Sequence, residues 1–479
     1  MRSILQSQIE ALSDKTRPMH MPGHKRVMRP SDILPYEWDI TEIEGADDLH
    51  DANGILKDAM DRASALWKSR RTWFLVGGST CGLLAAIRAA APFGSEIIAA
   101  RNCHRSVYHA IELGGYKVHW MMPPEDKSFD VCLSITPEQV QASLRKYPES
   151  ACVIVTSPTY EGVISEIRSI AALCHKAEIP LLVDEAHGAH LGLFEEGGFP
   201  ESAVQCGADL VVQSVHKTLP SMTQTAVLHM NGTLVREKEV ERQLAIFETS
   251  SPSYPLMISI DSCVEMLREY GAALFAQWKD ILDRFYKRAA ELHLIRVWNP
   301  DLRQGRGKSD IVRDRGKILI NFRNAGITGA QAARLLREQY GIETEMASGC
   351  NVLAMTSCAD TEKELGQLAD ALQSLDKALS LKESAAGRTS AIPSLPPVHT
   401  ACTILQAVST EHEDVPMEES EGRICAEYLY AYPPGIPILA PGEYIKKEHL
   451  EILKQMETDG NRIHHTVSEE PDRITCLAE

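Results

Sequence analysis

The sequence predicts an α/β fold built on a mostly parallel sheet, and three observations predict it. Between residues 70 and 230, short apolar runs alternate with stretches of helical spacing. Strands that alternate with helices in this way form a mostly parallel sheet covered on both faces. The chain has 479 residues, 44% of them hydrophobic, enough for two or three domains and a large core.

In chain order, the predicted strands are Trp73–Gly77, Glu96–Ala100, Lys117–Met121, Ala151–Thr156, Leu181–Asp184, Leu210–Gln213 and Thr225–Met230. Helical spacing falls between most of them, at Cys81–Ala91, Pro137–Lys146 and Ile167–Ala177. A long helical stretch follows at 255–295. A second α/β unit comes next, with strands at Lys317–Phe322 and Val352–Thr356 and helices at Gly329–Tyr340 and Thr361–Leu379. Lys382–Thr400, rich in Ser, Ala and Pro, reads as a linker. A third unit occupies 401–479.

Composition narrows the function. A formal net charge of −17 argues against nucleic acid or an anionic membrane as partner. The 12 cysteines form no C-x-x-C and no cluster of zinc-ligand spacing, which predicts a reducing, cytoplasmic setting. The N-terminus MRSILQSQIEALSDK is amphipathic and lacks the apolar core of a secretion signal. No apolar run reaches the roughly 20 residues that a membrane helix needs.

Ligands of such sheets bind outside the carboxyl ends of the strands, and three stretches place chemistry there. GGSTCG (77–82) leaves a strand and opens a helix. Backbone N–H groups at a helix start attract an anion, and Ser79 and Thr80 add hydroxyls. The stretch lacks the G-K-[ST] of a Walker loop and the G-x-G-x-x-G of a dinucleotide site; a plain tight turn is the alternative. LLVDEAHGAH (181–190) ends a strand on Asp184, a carboxylate suited to a metal, to general base work or to a cationic ring nitrogen. His187 and His190 keep the metal reading open. SVHKTLPSMTQ (214–224) sets His216 and Lys217 in the bend between two buried strands, with Ser214 beside them. A partly desolvated lysine gives up its proton more readily and attacks aldehydes. An anion cradle, a carboxylate and a lysine are together the requirements of pyridoxal phosphate: phosphate, ring nitrogen and aldehyde each find a partner.

These motifs, with MPGHKR (21–26), DITEIEGADDLHDANG (39–54), RNCHRS (101–106), TSPTYEG (156–162), TSSPSY (249–254) and AYPPGIPILAPGE (431–443), occur in an order that resembles the ornithine/lysine/arginine decarboxylase family. The resemblance is to its shorter bacterial members, which lack the N-terminal response-regulator-like domain. It implies fold type I of the pyridoxal-phosphate enzymes, like aspartate aminotransferase. An N-terminal arm (1–60), a seven-stranded large domain (61–265), a connecting helix with a small α/β domain (266–381), the linker (382–400) and a C-terminal domain (401–479) would follow one another. The implied reaction is α-decarboxylation of arginine, lysine or ornithine to an amine of polyamine metabolism.

The resemblance also implies roles. Lys217 would carry the coenzyme aldehyde, Asp184 would pair with the ring nitrogen, and His104 would stack on the ring face opposite the lysine. Ser79, Thr80, Ser214 and His216 would surround the phosphate, and His187 would lie near the ring's phenolic oxygen. Ser251 would reach the phosphate of a neighbouring subunit, so a homodimer or larger homo-oligomer with its active site at the interface is expected. Glu443, in APGE, is the expected partner of the substrate's basic side chain. The small-domain segment Glu343–Gly349 departs from the family pattern and leaves a different substrate open. Arg313, Arg315 and Arg323 are available for the carboxylate grip of an aminotransferase, the competing reaction on this fold. A catalytically idle coenzyme-binding paralogue is the third reading.

Overall fold

The computed structural model describes residues 2–15, 19, 21, 22, 25, 34–299, 311–381, 395–431, 435–458 and 460–478. Positions 23, 24 and 26 of MPGHKR, 432–434 of AYPPGIPILAPGE, 382–394 of the expected linker and scattered positions of the expected arm lie outside the described residues.

The alternating pattern yields seven strands: β1 (Arg71–Leu75), β2 (Glu96–Ala100), β3 (Lys117–Met121), β4 (Val153–Thr156), β5 (Leu181–Asp184), β6 (Leu210–Gln213) and β7 (Ala226–Met230). Their order in the sheet is β1-β7-β6-β5-β4-β2-β3. β5 pairs with β6, and β2 with both β3 and β4, in parallel; β7 runs antiparallel to β6 and β1. The chain divides into two compact units, residues 1–91 with 166–277, and residues 92–165 with 278–479. These units cut across the consecutive segments expected from the sequence, because each collects stretches distant along the chain.

In the first unit, β5 and β6 are buried along their whole length. Each fully buried Leu or Val contributes about 1.5–3 kcal/mol, which drives these short runs into the sheet interior. The helix Gly78–Ala90 packs on β1, β7 and β6 and against the helix Glu237–Phe247. Its approach is close at Gly82, where a Cβ would lie 2.5 Å from Leu75 and 3.1 Å from Val212. The helix Ile55–Trp67 buries Leu56, Ala59, Met60, Ala63 and Trp67, a 3.6-residue stripe. Trp67 ends it by donating its indole N–H to the Ala189 carbonyl at 2.9 Å. The N-terminal helix Ile4–Lys15 buries Leu5 and Ile9 and is tied by the Leu5 N–H to Asp261, itself paired with Arg62 at 2.7 Å.

In the second unit, the small α/β part forms an antiparallel sheet of β8 (Arg296–Val297), β9 (Lys317–Asn321), β10 (Met346–Ser348) and β11 (Asn351–Met355), ordered β8-β9-β11-β10. The helices Gly329–Tyr340 and Glu362–Ser380 start at Thr328 and Thr361, whose hydroxyls take part in capping boxes that satisfy the first-turn N–H groups. The C-terminal part pairs β12 (His412–Pro416) with β16 (Arg473–Leu477). It also sets β13 (Leu429–Ala431) between β14 (Pro437–Leu439) and β15 (Ile463–His465). Leu429, Leu439, Ile445, Leu453 and Ile474 form its core. Among the described residues no helix is long and apolar enough to cross a membrane.

Candidate active site

Seven of the predicted site residues fall in the first unit, at and just past the ends of its strands. β5 ends on Asp184, 3% exposed, whose Oδ1 accepts the Ala186 N–H at 3.1 Å. Burial pushes its pKa up, while the charge of Lys217 and the Ala186 N–H act the other way. A desolvated carboxylate needs more positive charge than one ammonium in its field supplies. Lys217 stands in the short helix Val215–Thr218 that follows β6, and its Nζ lies 3.1 Å from His187 Nε2.

The anion cradle is built from two segments. The helix Gly78–Ala90 begins after Gly77 with no side-chain cap hydrogen bond, which leaves its first turn suited to an anion. Gly78 takes φ +74, a left-handed value that glycine adopts without strain. Ser214 donates its hydroxyl to Ser79 Oγ at 2.9 Å, joining the helix start to the bend that carries Lys217. Thr80 is exposed. His216 Nδ1 donates to the Thr225 carbonyl at 2.8 Å, and burial, helped by the charge of Lys217, holds its pKa below the ordinary imidazole value. Gln224 closes the bend at φ +85, with its side-chain amide donating to the Val76 carbonyl at 2.5 Å. A non-glycine residue held there costs about 1–3 kcal/mol, a strain that clusters at ligand sites.

These residues fit pyridoxal phosphate. The uncapped helix start with Ser79, Thr80, Ser214 and His216 suits the phosphate, the charge-starved Asp184 a protonated ring nitrogen, and Lys217 the aldehyde.

The remaining expectations fall elsewhere. His104 belongs to the second unit, as N-cap of the helix Arg105–Gly114; its Nδ1 accepts the Ser106 N–H at 3.2 Å. Ser251 is exposed, with its N–H on Thr249 Oγ1 at 3.1 Å. Glu443 is tied to a buried arginine. It is 2% exposed, and its carboxylate accepts from Arg101 at 3.2 Å and from the Ala440 N–H at 3.2 Å. Burial pushes Glu443 up, and Arg101 offsets this only in part. Both contacts fall on Oε2, while Oε1 is buried without a hydrogen-bond partner.

The metal reading of Asp184, His187 and His190 gives way. His187 turns to Lys217, His190 meets Phe199 edge-on at 4.7 Å, and among the described residues no three His, Cys, Asp or Glu side chains gather to hold a metal. The three arginines of the aminotransferase reading are engaged as well. Arg313 donates to the carbonyls of Trp298 and Glu161 at 2.9 and 2.7 Å, Arg315 pairs with Asp283, and Arg323 pairs with Asp130.

Two residues escaped sequence reasoning. Glu185, 1% exposed, accepts from Ser202, Ala203 and Gln213 at 2.6, 2.8 and 2.7 Å; burial pushes its pKa up to about 7. Gln213 continues this network to His229 and Thr72. The available signal was three polar residues, Thr72, Gln213 and His229, interrupting apolar strands. Glu248 accepts the Val76 and Gly77 N–H groups at 2.5 and 3.2 Å, fixing the loop that leads into the cradle.

A mostly parallel seven-stranded sheet, with an uncapped helix start, a buried carboxylate and a lysine at one edge, fits a pyridoxal-phosphate enzyme of fold type I. Comparison with known proteins narrows the class. Residues 33–308 match the Orn/Lys/Arg decarboxylase major domain, and residues 390–463 match its C-terminal domain. The arginine decarboxylase of Bacillus anthracis is 34% identical over 444 residues, 91% of this chain and 89% of that protein. That of Halalkalibacterium halodurans is 33% identical over 449 residues, 92% of this chain and 90% of its own length. The lysine decarboxylase structure from Francisella novicida superposes with a TM-score of 0.84 at 18% identity, covering 100% of this chain and 81% of that one. The chain belongs to the Orn/Lys/Arg decarboxylase family and is a pyridoxal-phosphate-dependent decarboxylase.

Proposed function

We propose that this chain removes the α-carboxylate of a basic amino acid, arginine foremost, releasing carbon dioxide and the corresponding polyamine-type amine in the cytoplasm. The observation that carries this reading is the gathering of Lys217, Asp184 and the Ser79–Ser214 cradle at one edge of the first unit. The two relatives named arginine decarboxylases support arginine over lysine and ornithine.

Pyridoxal phosphate, when bound, supplies an aldehyde for the substrate amine and a cationic ring that accepts the electrons of the bond to the carboxylate. The protein's residues do the rest. Asp184, ionised against a ring cation, holds the proton on the ring nitrogen. The cradle would hold the phosphate. Lys217 Nζ and His187 Nε2, 3.1 Å apart, pass a proton between them. His187 would thus store a proton that Lys217 would deliver to Cα. His104 would stack on the ring, the role that the family resemblance implies. Two copies assemble so that Ser251 of one reaches the phosphate of the other.

The test is to incubate purified holoenzyme separately with arginine, lysine and ornithine and identify the amine formed. Agmatine as the main product supports the reading; a keto acid without carbon dioxide release overturns it. A protein that stays colourless with added coenzyme would also overturn it. Gel filtration with and without coenzyme, and coenzyme titration of Ser251→Ala, test the assembly.

A further inference from the structure

Four neighbouring strands of the first unit, in the order β1-β7-β6-β5, are crossed by a row of buried polar side chains. Thr72 of β1 meets His229 of β7, its register partner, at 2.8 Å. His229 Nε2 lies 3.1 Å from the amide oxygen of Gln213, the last residue of β6. The Gln213 amide donates at 2.7 Å to Glu185, the residue that follows β5.

The donors in this row all run toward Glu185. Its Oε2 accepts from Gln213 and from the Ser202 hydroxyl at 2.6 Å, and its Oε1 accepts the Ala203 N–H at 2.8 Å. The Gln213 oxygen can only accept, so His229 carries its proton on Nε2, and Nδ1 accepts from Thr72. Burial pushes the His229 pKa down to about 3, which keeps that imidazole neutral. Each member would be costly to bury without its neighbour, so the row holds together as a unit.

Its position relates it to the site. Asp184 immediately precedes Glu185, and Ser214, which joins the cradle and opens the Lys217 bend, immediately follows Gln213. The Glu185 N–H still pairs with the Val212 carbonyl at 3.0 Å, so the alternation of a strand reaches that residue. Glu185 therefore turns away from the face to which Asp184 points. One side-chain hydrogen bond behind the sheet thus links the two strand ends that carry the carboxylate and the lysine, and a shift at either end is passed on through a single peptide unit.

We propose that the Glu185–Gln213 hydrogen bond is a tie that sets the spacing between Asp184 and the Ser214–Lys217 bend, with Glu185 and Gln213 as positioning residues for the reaction. The proposal rests on the decarboxylase reading above and gives a task to a buried carboxylate that touches neither substrate nor coenzyme.

The experiment compares holoenzyme carrying Glu185→Met, Gln213→Met or the exchange Glu185→Gln/Gln213→Glu. Either methionine keeps the length of the side chain and removes the tie. In the exchange, the amide at position 185 donates to the carboxylate at position 213, which still accepts from His229, so the tie reforms with its polarity reversed. Three quantities are measured: kcat per bound coenzyme with KM, visible circular dichroism per bound coenzyme, and urea unfolding. A displacement of about 1 Å in a catalytic group costs up to about 100-fold in rate. Each methionine variant is expected to lose kcat on that scale with KM within a few-fold, and to change the circular dichroism. The exchange is expected to recover both. Methionine variants that lose only stability, with kcat and circular dichroism unchanged, would overturn the proposal. So would a folded exchange variant no better than the single variants. A parent inactive on arginine, lysine and ornithine would overturn the decarboxylase reading instead, and the circular dichroism would still decide the tie. Should the methionine variants fail to fold, Glu185→Asp, one methylene shorter, decides: circular dichroism and kcat like the parent's overturn the proposal, and a change in both supports it.

Discussion

Replacing Glu443 with Gln separates two employments of one carboxylate. Arg101 is 1% exposed and donates to the carbonyls of Pro437 and Ile438 at 2.7 and 3.2 Å, to Glu443 at 3.2 Å and to the Tyr108 hydroxyl. Its guanidinium also lies 5.7 Å from the Trp120 ring centroid. Glu443→Gln keeps the shape and one acceptor but removes the counter-charge. Breaking a buried pair from one side costs about 3–5 kcal/mol, and the two retained carbonyls set the expectation at the lower end, about 3 kcal/mol. The apolar double variant Arg101→Met/Glu443→Leu should lose less than the sum of its single variants, because no charge is stranded. Urea unfolding followed by tryptophan fluorescence and near-ultraviolet circular dichroism measures this. Where Glu443→Gln is folded, KM should stay within about threefold of the parent. Unfolding unchanged while KM rises tenfold is the signature of a substrate contact, and it would refute the assignment of Glu443 to Arg101.

Three other outcomes are expected. Asp184→Asn should still bind coenzyme through Lys217 and the cradle, but it should lose about 100-fold or more in kcat, read by carbon dioxide release. Glu185 has a folded-state pKa raised from 4.5 to about 7, so the stability linked to it is fully present below pH 4.5 and is lost as pH rises through 7. That loss is about 3 kcal/mol, and Glu185→Gln should abolish the slope in unfolding free energy over that window. With Nδ1 already donating to Thr225, neutral His216 has no N–H left for a phosphate. Coenzyme binding should therefore take up a proton there, strengthening by up to about tenfold for each pH unit lowered. His216→Gln should remove that part of the pH dependence in coenzyme titrations.

Much of the fold was legible because burial and period were. Leu181–Asp184, Leu210–Gln213 and the helices Pro137–Lys146 and Gly329–Tyr340 lie where the sequence places them. The reversed direction of β7 was not legible, since a strand buried along its length reads the same both ways. β8 and β10, at two and three residues, are too short to carry a period, and the C-terminal strands are little longer. In the site, Lys217 and Asp184 stand out as charges terminating apolar runs. His104 emerges only from the family resemblance, because nothing local distinguishes it among 17 histidines. Glu185 and Glu248 matter through what surrounds them in space, which residue spacing does not encode. The pairing of Glu443 with Arg101 was hidden for the same reason: the two are 342 residues apart along the chain.

The bare backbone at Gly82 has a consequence for engineering. With Leu75 and Val212 pressed against it, that position decides how near the whole helix rides to the sheet, and hence where the leading amides of Gly78–Ala90 point. One extra methyl there would press on both side chains and push the helix off the sheet, one turn behind its uncapped start. Libraries that protect only ligand-touching positions would therefore spoil the grip from behind.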